Sequence, residues 1–271
     1  MRERGPSGMA ESVPDVKDQS GPDPVEEMFG AAADTARKYA ELLVGVGVDR
    51  GVVGPAEADR IWDRHLLNCG SIAHLVPAKG ALIDLGSGAG LPGIVLAILL
   101  PGVHVTLLEA MARRVEFLEL CVAELGLSNV EVVRGRAEDL AGHLAADVVT
   151  ARAVAALDKL AGLCVGIARP GGRIVAMKGA SAEAELARAR PVLARLGISD
   201  ARVLEVGSAQ SGAATVVMFS APEHRSDRSA PGRGQGRAGH PMAGPMRGKA
   251  RYPGGAGGGR KSRPNSRRSG G

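Results

Sequence analysis

The chain has 271 residues, of which 45% are hydrophobic and only 2% aromatic, so its core must be aliphatic. No apolar run reaches the roughly 18 residues of a membrane span, the first residues lack the apolar stretch of a secretory signal, and three widely spaced cysteines (Cys69, Cys121, Cys164) form neither a disulfide framework nor a CxxC metal site. The net charge of +5 is composite: residues 222–271 carry 12 basic and 2 acidic residues, or +10, while the rest carries 22 basic and 27 acidic, or −5. A cytoplasmic protein is expected, without a membrane or a metal, working as a monomer.

Residues 1–24 are rich in Pro, Gly, Ser and charge, and little apolar surface is available there to offset the entropy of ordering. A disordered N-terminus is expected. Residues 25–77 read as an N-terminal helical extension with two helices. In the first, Met28, Ala32, Thr35, Tyr39 and Leu42 recur at helical spacing. In the second, Pro55 suits a first turn, Ile61, His65, Leu66 and Cys69 lie along one side, and Pro77 ends it.

Residues 78–221 change rhythm. ALIDL, VHVTLLE, NVEVVRG, ADVVTAR and GRIVAMKG read as strands, alternating with the helical patterns LPGIVLAILL, ARRVEFLELCVAELG and LDKLAGLCVGIA. AEAELARARPVLARLG is a further helix, expected to bend near Pro191, and ARVLEVGS and AATVVMFS close the domain as a strand pair. The alternation predicts an α/β fold: a doubly wound parallel sheet with helices on both faces and an antiparallel end. Residues 222–271 form a Gly/Arg/Pro tail expected to be disordered. Arg outnumbers Lys 27 to 7 over the whole chain, so the tail's arginines reflect general usage, whereas its +10 charge predicts sequence-independent affinity for RNA phosphates.

The informative stretch is LIDLGSGAGLPG at 82–93, where Gly86, Gly88, Gly90 and Gly93 follow a strand. A strand, glycine loop and helix at the start of a parallel sheet accommodate a nucleotide-like cofactor, because glycine lets the backbone approach closely. By itself this leaves NAD, FAD, ATP and S-adenosylmethionine open. Asp84 favours the last, since a carboxylate repels a pyrophosphate but attracts an ammonium and a sulfonium. Glu109 ends the second strand, 19 residues after Gly90, where an acidic side chain can accept both ribose hydroxyls of either NAD or S-adenosylmethionine. After the third strand, Glu138 or Asp139 can accept from an adenine amino group, with Ala137 supplying backbone contacts.

The acceptor is read partly by elimination. The fourth strand is not followed by a (D/N)PP(Y/F) stretch, and no Pro-Cys pair stands at a strand end. Cys121 and Cys164 lie in helical patterns and read as core. No general base is evident at the active end, which fits an acceptor atom with a free lone pair, such as guanine N7. Arg134, Arg136, Arg152 and Lys178 are the cations near the sheet's carboxyl edge. His65 reads as a bridge between helix and sheet.

DLGSGAGLPGIVLAI, LLEAMARRVEFL, VVRGRAEDL, VTARAVAAL and IVAMKG, in this order, resemble the RsmG (GidB) family, and RHLLNC at 64–69 resembles its N-terminal helical region. The resemblance covers roughly residues 35–220. It implies a class I S-adenosylmethionine-dependent methyltransferase with a Rossmann-like sheet, acting on N7 of a guanine in 16S ribosomal RNA, either free or in the 30S particle. On it, Gly86 and Leu91 touch the cofactor within a loop completed by Asp84, Gly88 and Gly90. Glu109 holds the ribose, Ala137 and Glu138 border the adenine, and Arg152 lies at the cofactor site. Apart from the resemblance, their place near the sheet's carboxyl edge makes Arg136 and Lys178 the expected RNA contacts. Where many relatives carry Asn-Leu-Thr, this chain reads VDRGVVGP, so its N-terminal RNA contact differs. Other readings are a methyltransferase acting on another RNA position, a noncatalytic RNA-binding protein, or a nucleotide-dependent oxidoreductase.

Overall fold

The structure, a computed structural model, describes residues 23–208 and 212–223. The expectations for residues 1–22 and 224–271 lie outside the described residues. Among the described residues, seven segments extend as strands: β1 Gly80–Leu85, β2 Val103–Glu109, β3 Val130–Arg134, β4 Ala146–Arg152, β5 Ala168–Lys178, β6 Arg202–Ser208 and β7 Gly212–Ser220. They form one sheet in the order β3-β2-β1-β4-β5-β7-β6. The first five are mutually parallel, and β7 runs antiparallel to both β5 and β6. Leu82, Ile83, Leu85, Val105, Leu107 and Leu108 are buried regardless of strand alternation, as a sheet covered on both faces requires.

Strand β5 begins earlier than the sequence pattern indicates. Ala168 pairs with Ala146, and the register then shifts between Ala146 and Val148 before the apolar run of β5 begins. Connections from β1 lead to β2 on one side, while β4 lies on the other. The sheet therefore reverses its winding between β1 and β4, and the crevice outside their carboxyl ends is where such sheets bind ligands.

Helices cover both faces. On one lie α4 Gly93–Leu99 and α5 Ala112–Leu125, the latter ended by Gly126 in the left-handed conformation at φ 64°. On the other lie α6 Ala137–Leu140, α7 Leu157–Ile167 and α8 Ala182–Arg195, and α8 runs on through Pro191 rather than ending there. Each face has its own aliphatic core, one centred on Ile94, Leu107 and Phe117, the other on Val149, Leu160 and Ile174.

The N-terminal extension is more broken than two helices. The first stretch divides into α1 at Pro24–Phe29, a 3-10 turn, α2 at Ala33–Leu42 and a π-helical turn at Leu43–Gly47. Here Gly30, at φ 49°, turns the chain out of helical geometry. The second has 3-10 geometry at Pro55–Arg60, a π-helical segment at Ile61–Leu66, a short α3 at Leu67–Gly70 and a last 3-10 turn at Ala73–Leu75. Tyr39, Leu43, Leu66, Cys69 and Ile72 from this extension are fully buried in the same core as α4 and α5. Among the described residues, no helix is long and apolar enough to cross a membrane.

Candidate active site

The loop after β1 is shaped by its glycines. Gly86, Gly88 and Gly90 stand at φ 67°, 59° and 94°, a region that side chains disfavour. Gly86 is constrained twice, since a Cβ there would meet Val154 Cγ2 at 2.9 Å. The loop is tied from several sides. The amides of Gly86 and Ser87 donate to the Leu108 carbonyl at 2.8 and 3.1 Å. The buried Tyr39 hydroxyl, from the N-terminal extension, donates to the Ala89 carbonyl at 2.7 Å.

Two carboxylates support this loop differently. Glu109 is buried at the end of β2, where Oε2 accepts from the Gly88 amide at 3.0 Å and Oε1 from the Met111 amide at 2.8 Å. Each oxygen keeps a further lone pair. Asp84 is fully buried behind the loop. Its Oδ2 accepts from the Gly93 amide at the start of α4, and its Oδ1 from the Thr150 hydroxyl on neighbouring β4, each at 3.1 Å. Burial pushes the Asp84 carboxyl up to about 7, although these hydrogen bonds pull the other way.

Two clefts open at this edge of the sheet. The smaller, about 270 Å³, is lined by Leu85, Gly86, Leu108, Glu109, Ala110, Arg114, Gly135, Arg136, Ala137, Glu138, Ala153, Val154 and Leu163. The larger, about 720 Å³, takes Arg64 and Asn68 from the N-terminal extension, residues 152–156 from the end of β4 onward, Met177, Lys178 and Gly179 from the end of β5 onward, and Glu185 and Arg188 from α8. Ala153 and Val154 line both clefts. Ala153 has φ 55° without being glycine, and such strained residues cluster at functional sites. The chain thus turns sharply where the two clefts join.

Similarity to known proteins agrees with this arrangement. The model of the GidB family, described as rRNA small subunit methyltransferase G, matches residues 32–212. A ribosomal RNA small subunit methyltransferase G from Thermobifida fusca is 52% identical over 196 residues, covering 72% of this chain and 83% of that protein. Its counterpart from Mycobacterium sp. strain JLS is 49% identical over 230 residues, covering 83% of this chain and 98% of that protein. This chain belongs to the GidB family.

Within this GidB protein, the residues singled out in the sequence separate into three groups. Gly86, Glu109, Ala137 and Glu138 line the smaller cleft, and Gly88 holds Glu109 in place. Asp84, Gly90 and Leu91 lie off the cleft wall: Asp84 braces the loop from below, Gly90 packs against Ile94 and Tyr39, and Leu91 packs on the core. The carboxylate expected to face an ammonium and a sulfonium is therefore beneath the loop, with Leu107 and Thr150 beside it in the sheet and Gly93 of α4 packed against it. Arg152 lines the larger cleft and not the smaller one.

Arg152 is also engaged within the protein. Its Nη1 donates to Cys69 Sγ at 3.0 Å, and Nη2 to the Arg64 carbonyl at 3.2 Å and to His65 Nδ1 at 2.7 Å. An arginine only donates, so His65 Nδ1 is the acceptor and Nε2 carries the proton that reaches Glu57 Oε2 at 2.7 Å. The His65 pKa is lowered, first by burial and then by the Arg152 charge, against the opposing pull of Glu57. His65 thus joins the N-terminal extension to the end of β4.

The two expected RNA contacts also lie apart. Arg136 is exposed on the smaller cleft. Lys178 lines the larger one but is bound internally: Nζ donates to the Ala155 carbonyl and pairs with Glu185 Oε2, both at 2.8 Å. The Leu157 amide and the Ser181 hydroxyl also donate to Glu185, at 3.2 and 3.1 Å. Burial would raise the Glu185 pKa, but Lys178 and Ser181 outweigh it and the net shift is downward. Glu185, Arg188, Asn68 and the role of Tyr39 do not stand out in the sequence. The spacing of Glu185 and Arg188 on one helical face is the available signal, but that spacing is equally common on solvated helices.

Proposed function

We propose that this protein transfers a methyl group from S-adenosylmethionine to N7 of a specific guanine in 16S ribosomal RNA. The observation that carries this reading is the seam at Ala153 and Val154, where a glycine-floored cleft with a buried carboxylate adjoins a larger cleft rich in cations. The smaller cleft fits the donor: a backbone cradle that a Cβ at Gly86 would fill, and a Glu109 carboxylate with lone pairs left for ribose hydroxyls. When bound, S-adenosylmethionine would supply an electrophilic methyl group on a cationic sulfonium.

The chain's own groups then bind and align. Gly86 lets the loop backbone approach the donor, Glu109 accepts from the ribose, and Ala137 and Glu138 border the adenine. Asp84 is a positioning residue, joining the loop to α4 and β4 through Gly93 and Thr150. Arg152 orients the turn at Ala153, Lys178 holds that turn through Ala155, and Arg136 contacts RNA from the rim. Guanine N7 has a free lone pair, so alignment rather than proton removal is the main demand on the protein.

Residues 25–77 and 78–221 act together as extension and catalytic domain, and the +10 charge of residues 222–271 adds RNA affinity independent of sequence. The enzyme acts as a cytoplasmic monomer on an exposed loop of the rRNA or on the 30S particle, since bases within rigid RNA helices are poorly accessible. Incubation with tritiated S-adenosylmethionine and unmodified 16S rRNA or 30S particles, followed by mapping of N7-methylguanine, tests this. Label at one guanine N7 is expected. Label at another atom would indicate a different RNA position, and no label would favour a noncatalytic RNA-binding protein. Calorimetry showing tight NADH binding and none for S-adenosylmethionine would overturn the donor assignment.

A further inference from the structure

We propose that Arg188 and Arg64 form a two-armed grip on RNA backbone phosphates at the larger cleft, on either side of the target nucleotide. This rests on the reading of that cleft as the acceptor site.

The cations of the larger cleft differ in how many of their donors are free. Arg152 spends its guanidinium on Cys69, Arg64 and His65, and Lys178 spends its ammonium on Ala155 and Glu185. Both are internal braces. Arg188 lies on the same wall as Glu185, three residues further along α8, a spacing at which a carboxylate ordinarily captures a guanidinium. Here Glu185 is already held by Lys178, Ser181 and the Leu157 amide. Arg188 is exposed and makes no ion pair or side-chain hydrogen bond among the described residues. Lys178 thus neutralises the acid that would otherwise occupy the Arg188 guanidinium.

Arg64 approaches from the opposite face of the sheet. Its flanking residues Ile61 and Leu66 belong to one core, whereas Leu186 and Ala189 beside Arg188 belong to the other. The Arg64 backbone is held by the hydrogen bond its carbonyl accepts from Arg152. Its side chain is half exposed and, among the described residues, its one polar partner is Glu57, at a marginal 3.5 Å, while the other oxygen of Glu57 engages His65 at 2.7 Å. Both arginines therefore present donors on anchored backbone. A guanidinium offers paired donors matching two phosphate oxygens, and a phosphodiester strand supplies such groups on both sides of any nucleotide in the cleft.

The test uses the full-length protein and variants Arg188→Ala, Arg64→Ala and the double variant, with Arg190→Ala as control. Arg190 is exposed on α8 but lines a separate groove with Gly197 and Ile198. Equilibrium binding of 16S rRNA is measured across a salt titration, alongside S-adenosylmethionine affinity. Each cleft substitution should weaken RNA binding about three- to tenfold and make the salt dependence shallower by about 0.7–1 per lost contact. Donor affinity should stay within about twofold, because the donor occupies the other cleft. Arg188→Lys should restore part of the loss. Unchanged RNA affinity and salt slope in the double variant would overturn the grip, as would an equal loss in Arg190→Ala. Binding is read directly here, so the grip stands or falls whether or not the wild-type protein labels RNA, the result that decides the proposed activity.

Discussion

The smaller cleft takes its floor from the loop directly after β1 and its walls from the ends of β2 and β3, all within residues 85–163. The larger cleft gathers Arg64 and Asn68 from one face of the sheet, the turn after β4, the end of β5, and Glu185 and Arg188 from the other face. In the first, backbone shape dominates, and few side chains can be added without filling it. In the second, charged side chains dominate, and each inner charge is compensated by a partner within the fold. A cleft shaped by backbone should therefore fail abruptly on substitution, and one shaped by charge should fail in degrees.

The sharpest way to break this contrast is Gly86→Asp. The added side chain meets Val154 and must adopt φ 67°, so donor affinity should fall at least about a hundredfold while far-UV circular dichroism stays native. Retained affinity by calorimetry would show that this loop is not the donor site. Next is Arg152→Lys. An ammonium cannot reproduce the guanidinium's simultaneous contacts with Cys69, Arg64 and His65, so methyl transfer should fall about tenfold or more. The loss should appear in RNA-dependent turnover, with donor binding largely kept. If donor binding disappears instead, the two clefts do not operate separately.

Asp84→Asn sharpens the role of the buried carboxyl. The folded protein holds this proton up to a pH of about 7, whereas an unfolded chain releases it near 3.8. Between those values the folded state binds more protons, so wild-type stability declines as pH rises from about 4 to 7. The amide has no such proton to lose. The variant should match wild type near pH 4 and exceed it above pH 7, by up to about 4 kcal/mol in urea unfolding. Parallel profiles would show that Asp84 is ionised at little cost. The smallest effect is expected for Tyr39→Phe, which removes the hydroxyl that donates to Ala89 and should cost about 1–2 kcal/mol of stability in the same assay, with a modest loss of donor affinity.

The strand and helix pattern from β1 to β7 was readable because each element carries its own apolar periodicity, as in VHVTLLE and ARRVEFLELCVAELG, with Gly126 marking a helix end. The N-terminal extension was less readable. Its apolar spacing suits a helix, but Gly30 and the π-helical segments interrupt it, and its stability comes from packing on the sheet through Tyr39, Leu66 and Cys69. Glu109 could be located because a strand end has a known position in a parallel sheet. The depth of Asp84 was not legible along the chain, because it is set by Leu107 and Thr150 on the neighbouring strands and by Gly93 of α4 packed against it.

The sequence by itself determined the doubly wound parallel sheet with its antiparallel end, the glycine loop and the acid at the end of β2, since each follows from local backbone preference and apolar pattern. Only the tertiary structure decided which cations are free. Arg152, Lys178, Arg64 and Arg188 are all cations along the chain, but packing gives the first two close internal acceptors, gives Arg64 one long contact with Glu57, and leaves Arg188 facing the cleft. Charge is a property of a residue, whereas the availability of that charge depends on partners that only folding brings near.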